Sequence, residues 1–179
     1  MNWLEALEGQ QAKSRPSNRV QIATVDDDGK PALRTVVLRG FLGQKPWFFT
    51  DARSAKVAHL KARPAISILL WLEKTSDQFR LDGLATSSGS DSVGELAALR
   101  QSTWARLKEA QRLPFIGPDP GTPLKTPAAR LPLPGAVPDS LLIVTVEVDH
   151  VDWLTLGDPH RRSCFTRTEL VWSHQALVP

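Results

Sequence analysis

Phe49-Thr50-Asp51-Ala52-Arg53-Ser54-Ala55-Lys56 holds two hydroxyls and two cations where an extended run passes into a helical one. The first turn of a helix exposes unpaired N–H groups and the positive end of the helix dipole. Hydroxyls and cations placed there make a phosphate-binding site. A capped helix with ordinary surface cations would give the same string. A second candidate is Arg34, which on an extended chain shares a face with Val36 and Leu38. A charge among apolar neighbours needs a partner, either a bound anion or a carboxylate elsewhere in the fold. A third is Gln78 in Asp77-Gln78-Phe79-Arg80, whose amide both donates and accepts. It could read an amide-like ring edge or simply be solvated. The fourth is the C-terminal block with Trp153, His160, Arg161, Arg162, Phe165 and Trp172. Aromatics interleaved with arginines suit a flat anionic ligand, and equally a tryptophan core with surface arginines.

Other chemistries lack their residues. The chain has 179 residues, six Trp, no Tyr and one Cys. Tyrosine acids, an internal disulfide and a cysteine-rich metal site are therefore excluded. The four histidines (His59, His150, His160, His174) show no metal-ligand spacing, so no metal is expected. There is no Gly-x-Ser-x-Gly elbow, phosphate loop or Gly-x-Gly-x-x-Gly turn. Cys164 and His160, four apart on an extended chain, would lie roughly 13 Å apart, too far to act as a nucleophile pair. Net charge is only +3 from 22 Lys+Arg and 19 Asp+Glu, and the arginines are scattered. That argues against a nucleic-acid partner despite a pI near 9.3. No apolar run approaches membrane-spanning length, and the N-terminus carries Glu5 and Glu8. The expectation is a cytoplasmic protein without a membrane partner.

The elements that must position these residues read as mainly β, in an α+β arrangement. Asn2 caps a helix with Glu5 reaching back, Trp3, Leu4 and Leu7 forming its buried stripe and Pro16 ending it. Val20–Val25 and Ala32–Arg39 form a hairpin around Asp26-Asp27-Asp28-Gly29. Gly40–Lys45 turns the chain into a short strand at Pro46–Thr50. A helix at Ser54–Ala62 stops at Pro64. Ala65–Leu72 reads as a strand buried on both faces. Asp77–Thr86 alternates, with Gln78, Arg80 and Asp82 on its polar side. Val93–Arg112 reads as one helix, and 113–138 as an irregular segment holding 8 of the 14 prolines. Leu141–Leu156 and a closing hairpin (Arg161–Thr166, Leu170–Leu177) complete the strands. An antiparallel barrel with peripheral helices, one domain over 1–179, fits this order.

In order and spacing, these segments resemble the pyridoxamine 5'-phosphate oxidase-like FMN-binding family. The resemblance runs from Arg19 to Pro179. It is carried by Ala23-Thr24-Val25-Asp26 with Gly29-Lys30-Pro31, Arg34-Thr35-Val36-Val37-Leu38-Arg39, Phe49-Thr50 through Ser54 and Lys56, and Gln78 with Gly83. The ending Trp153, Arg162, Phe165, Trp172, Leu177 and Pro179 completes it. It implies a split antiparallel β-barrel working as a homodimer, with FMN between the subunits. It implies a cofactor-binding set of Arg34, Thr35, Val36, Val37, Arg39, Phe49, Thr50, Arg53, Ser54, Lys56, Gln78, Trp153 and Arg162. Within that set Arg34, Lys56, Thr50 and Ser54 would take the phosphate. The backbone of Thr35, Val36 and Val37 would run beside the flavin. Gln78 would meet the isoalloxazine, and Trp153 and Arg162 would come from the partner. The chemistry would lie at flavin N5, with hydride from a small amine or a reduced nicotinamide. His160 would face the substrate. The chain departs from the family at Ala55, where a cation is usual and Arg53 would stand in. It departs again in Ser87–Gln111, which lacks a tyrosine, and at Asp158, where an arginine would precede His160. The departures imply a retained FMN site and a remodelled substrate site. The alternative is a flavin-holding or flavin-sensing module without turnover.

Overall fold

The computed structural model describes residues 2–13, 17–123, 132 and 134–179. The expected helix stop at Pro16 and residues 124–131 and 133 of the proline-rich segment lie outside them. α1 (Trp3–Lys13) begins as its sequence dictates. Asn2 Oδ1 accepts from the Leu4 N–H at 3.0 Å, and Glu5 Oε2 accepts from the Asn2 N–H at 3.0 Å. The helix lays fully buried Trp3 and Leu7 on the sheet, with Trp3 against Phe41 and Trp172.

The strands among the described residues are β1 (Arg19–Val25), β2 (Pro31–Val37), β3 (Gly40–Leu42), β4 (Lys45–Asp51), β5 (Ala65–Leu72), β6 (Asp77–Ser88), β7 (Leu141–Thr155), β8 (Arg161–Thr168) and β9 (Val171–Leu177). They pair antiparallel in the order β2-β1-β5-β6-β7-β4-β3, with β8 also on β7 and β9 on β8. The 15-residue β7 is the spine. Its first residues pair with β4, its last with β8, and β6 runs beside nearly all of it. The Arg39 N–H donates to Trp47 O at 2.9 Å and links the end of β2 to β4. The core lies inside this closed sheet, with Ile22, Phe48, Ile68, Phe79, Val151 and Phe165 essentially without solvent contact.

Three expectations change. Gly40–Lys45 contains strand β3, because Gly40 and Leu42 pair with Trp47 and Lys45. β5 is buried on one face only: Ile66, Ile68, Leu70 and Leu72 point inward, while Trp71 is 42% exposed. The expected helix at Val93–Arg112 is two, α3 (Gly94–Arg106) and α4 (Glu109–Ile116). The chain is extended at Leu107, which lets Trp104, Leu107 and Phe115 close on Leu141 in a second small core. α4 therefore reaches into the region read as irregular. The short helix holds as α2 (Ala55–Ala62).

Partners across an antiparallel ladder share a face. The outward face carries one row of Trp71, Gln78, Leu154, Arg162 and Leu177, and a neighbouring row of Thr35, Gln21, Leu69, Arg80, Asp152 and Cys164. The inward face carries Arg34, Ile22, Ile68 and Leu81.

The pairing of β6 with β7 slips at Asp82/Gly83. There β7 comes so close that a Cβ on Gly83 would stand 2.1 Å from Glu147 O. Gly83→Ala should force the two central strands apart and destabilise the protein by about 1–3 kcal/mol, the usual range for overpacking. Urea unfolding measures this; an unchanged midpoint would contradict the close approach.

Candidate anion site at the start of the second helix

Four polar side chains converge where β4 ends and α2 begins. Lys56 Nζ donates to Thr50 Oγ1 at 3.0 Å and to Ser54 Oγ at 3.0 Å. Ser54 occupies the N-cap position, but its hydroxyl does not cap; it donates to Asp51 O at 2.7 Å. Thr50 and Ser54 are buried and Lys56 half-buried. Arg34 reaches the same region from β2. Its Nη1 donates to the buried Thr24 Oγ1 at 2.5 Å, and Thr24 Oγ1 in turn lies 3.0 Å from His59 Nδ1 of α2.

The electrostatics are those of an anion site. Burial first, then the Arg34 charge, hold the Lys56 ammonium below the usual lysine range. Burial also lowers Arg34. Among the described residues neither cation forms an ion pair with a carboxylate. Arg53 differs. Its five N–H donors go to Asp51 Oδ1 and Oδ2, Gly117 O, Asp119 Oδ1 and Pro114 O. Hydrogen bonding to Asp51 raises its pKa. As the stand-in phosphate cation expected from the sequence, Arg53 has no donor left; it ties the end of α4 to the start of α2.

The remaining residues fall in three other places. Arg39 and Phe49 sit together on the opposite side of β4 from Thr50, with the Arg39 guanidinium 4.4 Å from the Phe49 ring centre. They line a cavity of about 230 Å3 under α3 with Trp47, Ser102 and Arg106. Gln78 and Arg162 flank Leu154 on the outward face. Trp153 faces inward at the same end of the barrel. It stacks on Phe79 at 5.2 Å, donates from Nε1 to buried Asp77 at 2.8 Å, and lines a cavity of about 480 Å3 with Lys13, Arg161 and Ser163. Thr35 is exposed, with Val36 and Val37 half-buried beside it on β2, and His160 is exposed in the turn before β8. One chain does not unite these groups. Thr50 pairs with Leu142 and Phe79 with Trp153, eleven residues further along β7. At about 3.3 Å per residue that is roughly 35 Å of extended chain.

Sequence reading missed three supporting residues. Asp152 holds Arg162 through Nε–Oδ1 (3.1 Å) and Nη2–Oδ2 (2.8 Å), and also takes Arg80. Asp77 holds Trp153, and Thr24 holds Arg34. An acid alternating with aromatics on a strand, and a threonine one hairpin away from an arginine, were the signals present.

The model of the pyridoxamine 5'-phosphate oxidase FMN-binding domain matches residues 1–89. Pyridoxine/pyridoxamine 5'-phosphate oxidase 2 of Arabidopsis thaliana is 30% identical over 175 residues, covering 91% of this chain and 88% of the plant protein. The chain belongs to the pyridoxamine 5'-phosphate oxidase FMN-binding family. A bacterial relative, the pyridoxine/pyridoxamine 5'-phosphate oxidase of Pseudomonas fluorescens Pf0-1, is 34% identical over 108 residues; the match spans 58% of this chain and about half (50%) of that enzyme. A crystal structure of a pyridoxamine 5'-phosphate oxidase-related, FMN binding protein from Nostoc punctiforme aligns with TM-score 0.85 and 32% identity, over 100% of this chain and 98% of that one. PhzG of Burkholderia lata, solved with tetrahydrophenazine-1-carboxylic acid, shares the fold at TM-score 0.78 and 19% identity, over 99% and 89%. The architecture is the split barrel of this pyridoxamine 5'-phosphate oxidase family, and FMN is its cofactor. The donor set fits such a group: two desolvated cations, two hydroxyls and a helix start suit a phosphate. Among the described residues no helix is long and apolar enough to cross a membrane, and no cluster of three His, Cys, Asp or Glu could hold a metal.

The lowered Lys56 pKa carries a sign. Between its folded and unfolded values the unfolded chain binds the extra proton, so stability rises with pH there, and below that window the charged amine opposes folding. Lys56→Met should therefore leave the flavin-free protein within about 1 kcal/mol of wild type or more stable, despite two lost hydrogen bonds. Thermal unfolding of the flavin-free proteins at neutral pH measures this; a large loss would mean that Lys56 is a structural ion-pair partner.

Asp152 gives the opposite sign. Its hydrogen bonds to Arg162 hold it below the usual carboxylate range, so it contributes stability above the unfolded pKa that is lost as pH falls through the folded one. Asp152→Asn should flatten the acid limb of the stability–pH curve; an unaltered limb would show that the pair contributes nothing.

Proposed function

We propose that the chain is an FMN-dependent oxidoreductase acting as a homodimer, with the flavin phosphate held by Arg34 and Lys56. The observation that carries this reading is the pair of partly buried cations beside two hydroxyls, with no carboxylate in contact among the described residues. A phosphate dianion complements it through charge-assisted hydrogen bonds. Lys56 has three N–H donors and uses two on Thr50 and Ser54, leaving one for an anion. The Ser54 proton is committed to Asp51 O, so Ser54 serves by aiming Lys56. The Thr50 hydroxyl accepts from Lys56 and keeps its own proton to donate. The N–H groups opening α2 add donors without a charge to desolvate.

Bound FMN supplies two-electron redox chemistry. The protein's part is to bind, orient and shield it. The backbone of Thr35–Val37 would lie beside the ring. Gln78 offers an amide to the ring edge, and Arg162, held by Asp152, offers a fixed cation beyond Leu154. Both stand on the outward face, far along the barrel from Lys56, so a second copy must bring them to the anion site. The outward face suits such a partner, since half-buried Leu69, Leu154 and exposed Trp71 lie in adjacent rows. Arg39, above its own cavity, stays a cofactor-side candidate, and His160 is the candidate for the substrate side. The electron donor is a small amine or a reduced nicotinamide.

FMN released from the purified protein, a molar mass of twice the chain, and oxidation of reduced nicotinamides or pyridoxamine 5'-phosphate in steady-state assays are the expected results. Stoichiometric flavin without turnover would favour the flavin-holding module. Lys56→Ala should weaken FMN by about 1.5–3 kcal/mol, the scale of a charge-assisted hydrogen bond. Fluorescence quenching of FMN by the flavin-free protein measures it, and an unchanged affinity would remove Lys56 from the site.

A further inference from the structure

We propose that Thr24 and His59 form a positioning relay that aims the Arg34 guanidinium at the flavin phosphate. The proposal rests on the phosphate reading above and adds two residues to it.

The geometry dictates how the protons run. Arg34 Nη1 lies 2.5 Å from Thr24 Oγ1. A guanidinium has donors only, so the threonine oxygen accepts there. The Thr24 side chain is buried, at 1% exposure, and its own proton must find an acceptor. His59 Nδ1, at 3.0 Å, is that acceptor. The Nδ1 nitrogen therefore presents its lone pair, and the ring proton sits on Nε2. The chain of donors runs one way, from Arg34 through Thr24 to His59.

This relay joins three elements. Arg34 is on β2, Thr24 on β1 and His59 on α2, one helical turn after Lys56. It fixes the strand carrying one cation to the helix carrying the other. A fixture is required, because two like charges in a partly buried space repel. The bond to Thr24 is the hydrogen bond that the Arg34 side chain makes among the described residues. Without it the long side chain is free to turn into solvent, away from Lys56. Thr24 and His59 are positioning residues, since they act through Arg34 and not on the phosphate.

Riboflavin lacks the phosphate, so the ratio of FMN to riboflavin affinity isolates the effect from any general damage to the barrel. Both dissociation constants would be measured by fluorescence quenching on flavin-free wild type, Thr24→Val, His59→Leu, His59→Asn and Lys56→Ala. Thr24→Val keeps the side-chain shape and removes the hydroxyl. It should lower the FMN preference about tenfold, the equivalent of one hydrogen bond to a charged group. His59→Leu should lower it in the same direction. His59→Asn should restore it, because its Oδ1 places an acceptor near the position of Nδ1. If Thr24→Val and His59→Leu leave the ratio unchanged while Lys56→Ala collapses it, the relay is wrong and the phosphate site stands. If Lys56→Ala also leaves it unchanged, the phosphate reading fails and takes the relay with it. Should Thr24→Val not fold, the contrast between His59→Leu and His59→Asn decides the question, and equal ratios in those two overturn the relay.

Discussion

Two cations share a partly buried space at the start of α2, and much of the surrounding structure can be understood as keeping them there. Burial disfavours the charged form of both Arg34 and Lys56, and the Arg34 charge lowers Lys56 further. Such a pair opposes folding unless an anion arrives. The protein meets this with neutral oxygens and not with acids. Thr50 and Ser54 receive Lys56, and Thr24 receives Arg34. A hydroxyl satisfies an N–H without cancelling its charge, so the site's field is preserved for a ligand. The β1–β2 register sets Arg34 opposite Ile22, on the inward face and diagonal to Thr24. A one-residue slip in that hairpin would turn Arg34 outward. Asp26 and Gly29 prevent it: the Asp26 carboxylate takes the Lys30 N–H, and Gly29 supplies the positive φ that the turn needs.

The second constraint is the length of β7. One strand serves the anion site at one end, through β4, and the Trp153–Arg162 region at the other. Eleven residues of β7 lie between the partners of Thr50 and Phe79, so the two groups sit at opposite ends of the strand and one barrel does not present both to the same cofactor. Alternation then sorts the far end. Trp153 is turned inward onto Phe79 and Asp77, while Gln78 and Arg162 are turned outward. A half-buried carboxylate–arginine network of Arg80, Asp82, Asp152 and Arg162 lies on that outward face among apolar side chains. A partner surface closing over this network would shield it from water and strengthen it.

Local chemistry made much of this legible. The Asn2–Glu5 cap, the Asp26–Gly29 hairpin and the alternation of β6 followed from side-chain type and period. β5 misled because Ala65–Leu72 is almost wholly apolar, and an apolar run does not say which face meets solvent. The break at Leu107 was hidden because Val93–Arg112 keeps helical spacing on both sides of it. Only the tertiary gain of packing Leu107 beside Trp104 and Phe115 shows why the helix stops. In the candidate site, Thr50, Ser54 and Lys56 were readable because they are neighbours in sequence. Thr24, Asp77 and Asp152 were not, because each acts on a residue brought close by strand pairing.

Arg53 shows why residue type alone misplaced a role. It lies three positions from Lys56 and carries the same charge, yet it does the opposite work. Asp51 is near enough to Lys56 to favour its charged form, and in an open geometry it would pair with the amine and close the site. Both Asp51 oxygens are instead held by Arg53 through Nε and Nη2, at 3.0 and 2.7 Å, with a third bond from the Arg53 N–H. The bidentate pair is geometrically stricter than any lysine contact. The backbone carbonyls of Pro114 and Gly117 fix the guanidinium from behind. Arg53 thus keeps the nearest acid away from Lys56 and leaves that ammonium to the hydroxyls. The anion site is defined as much by where this carboxylate is held as by the cations themselves.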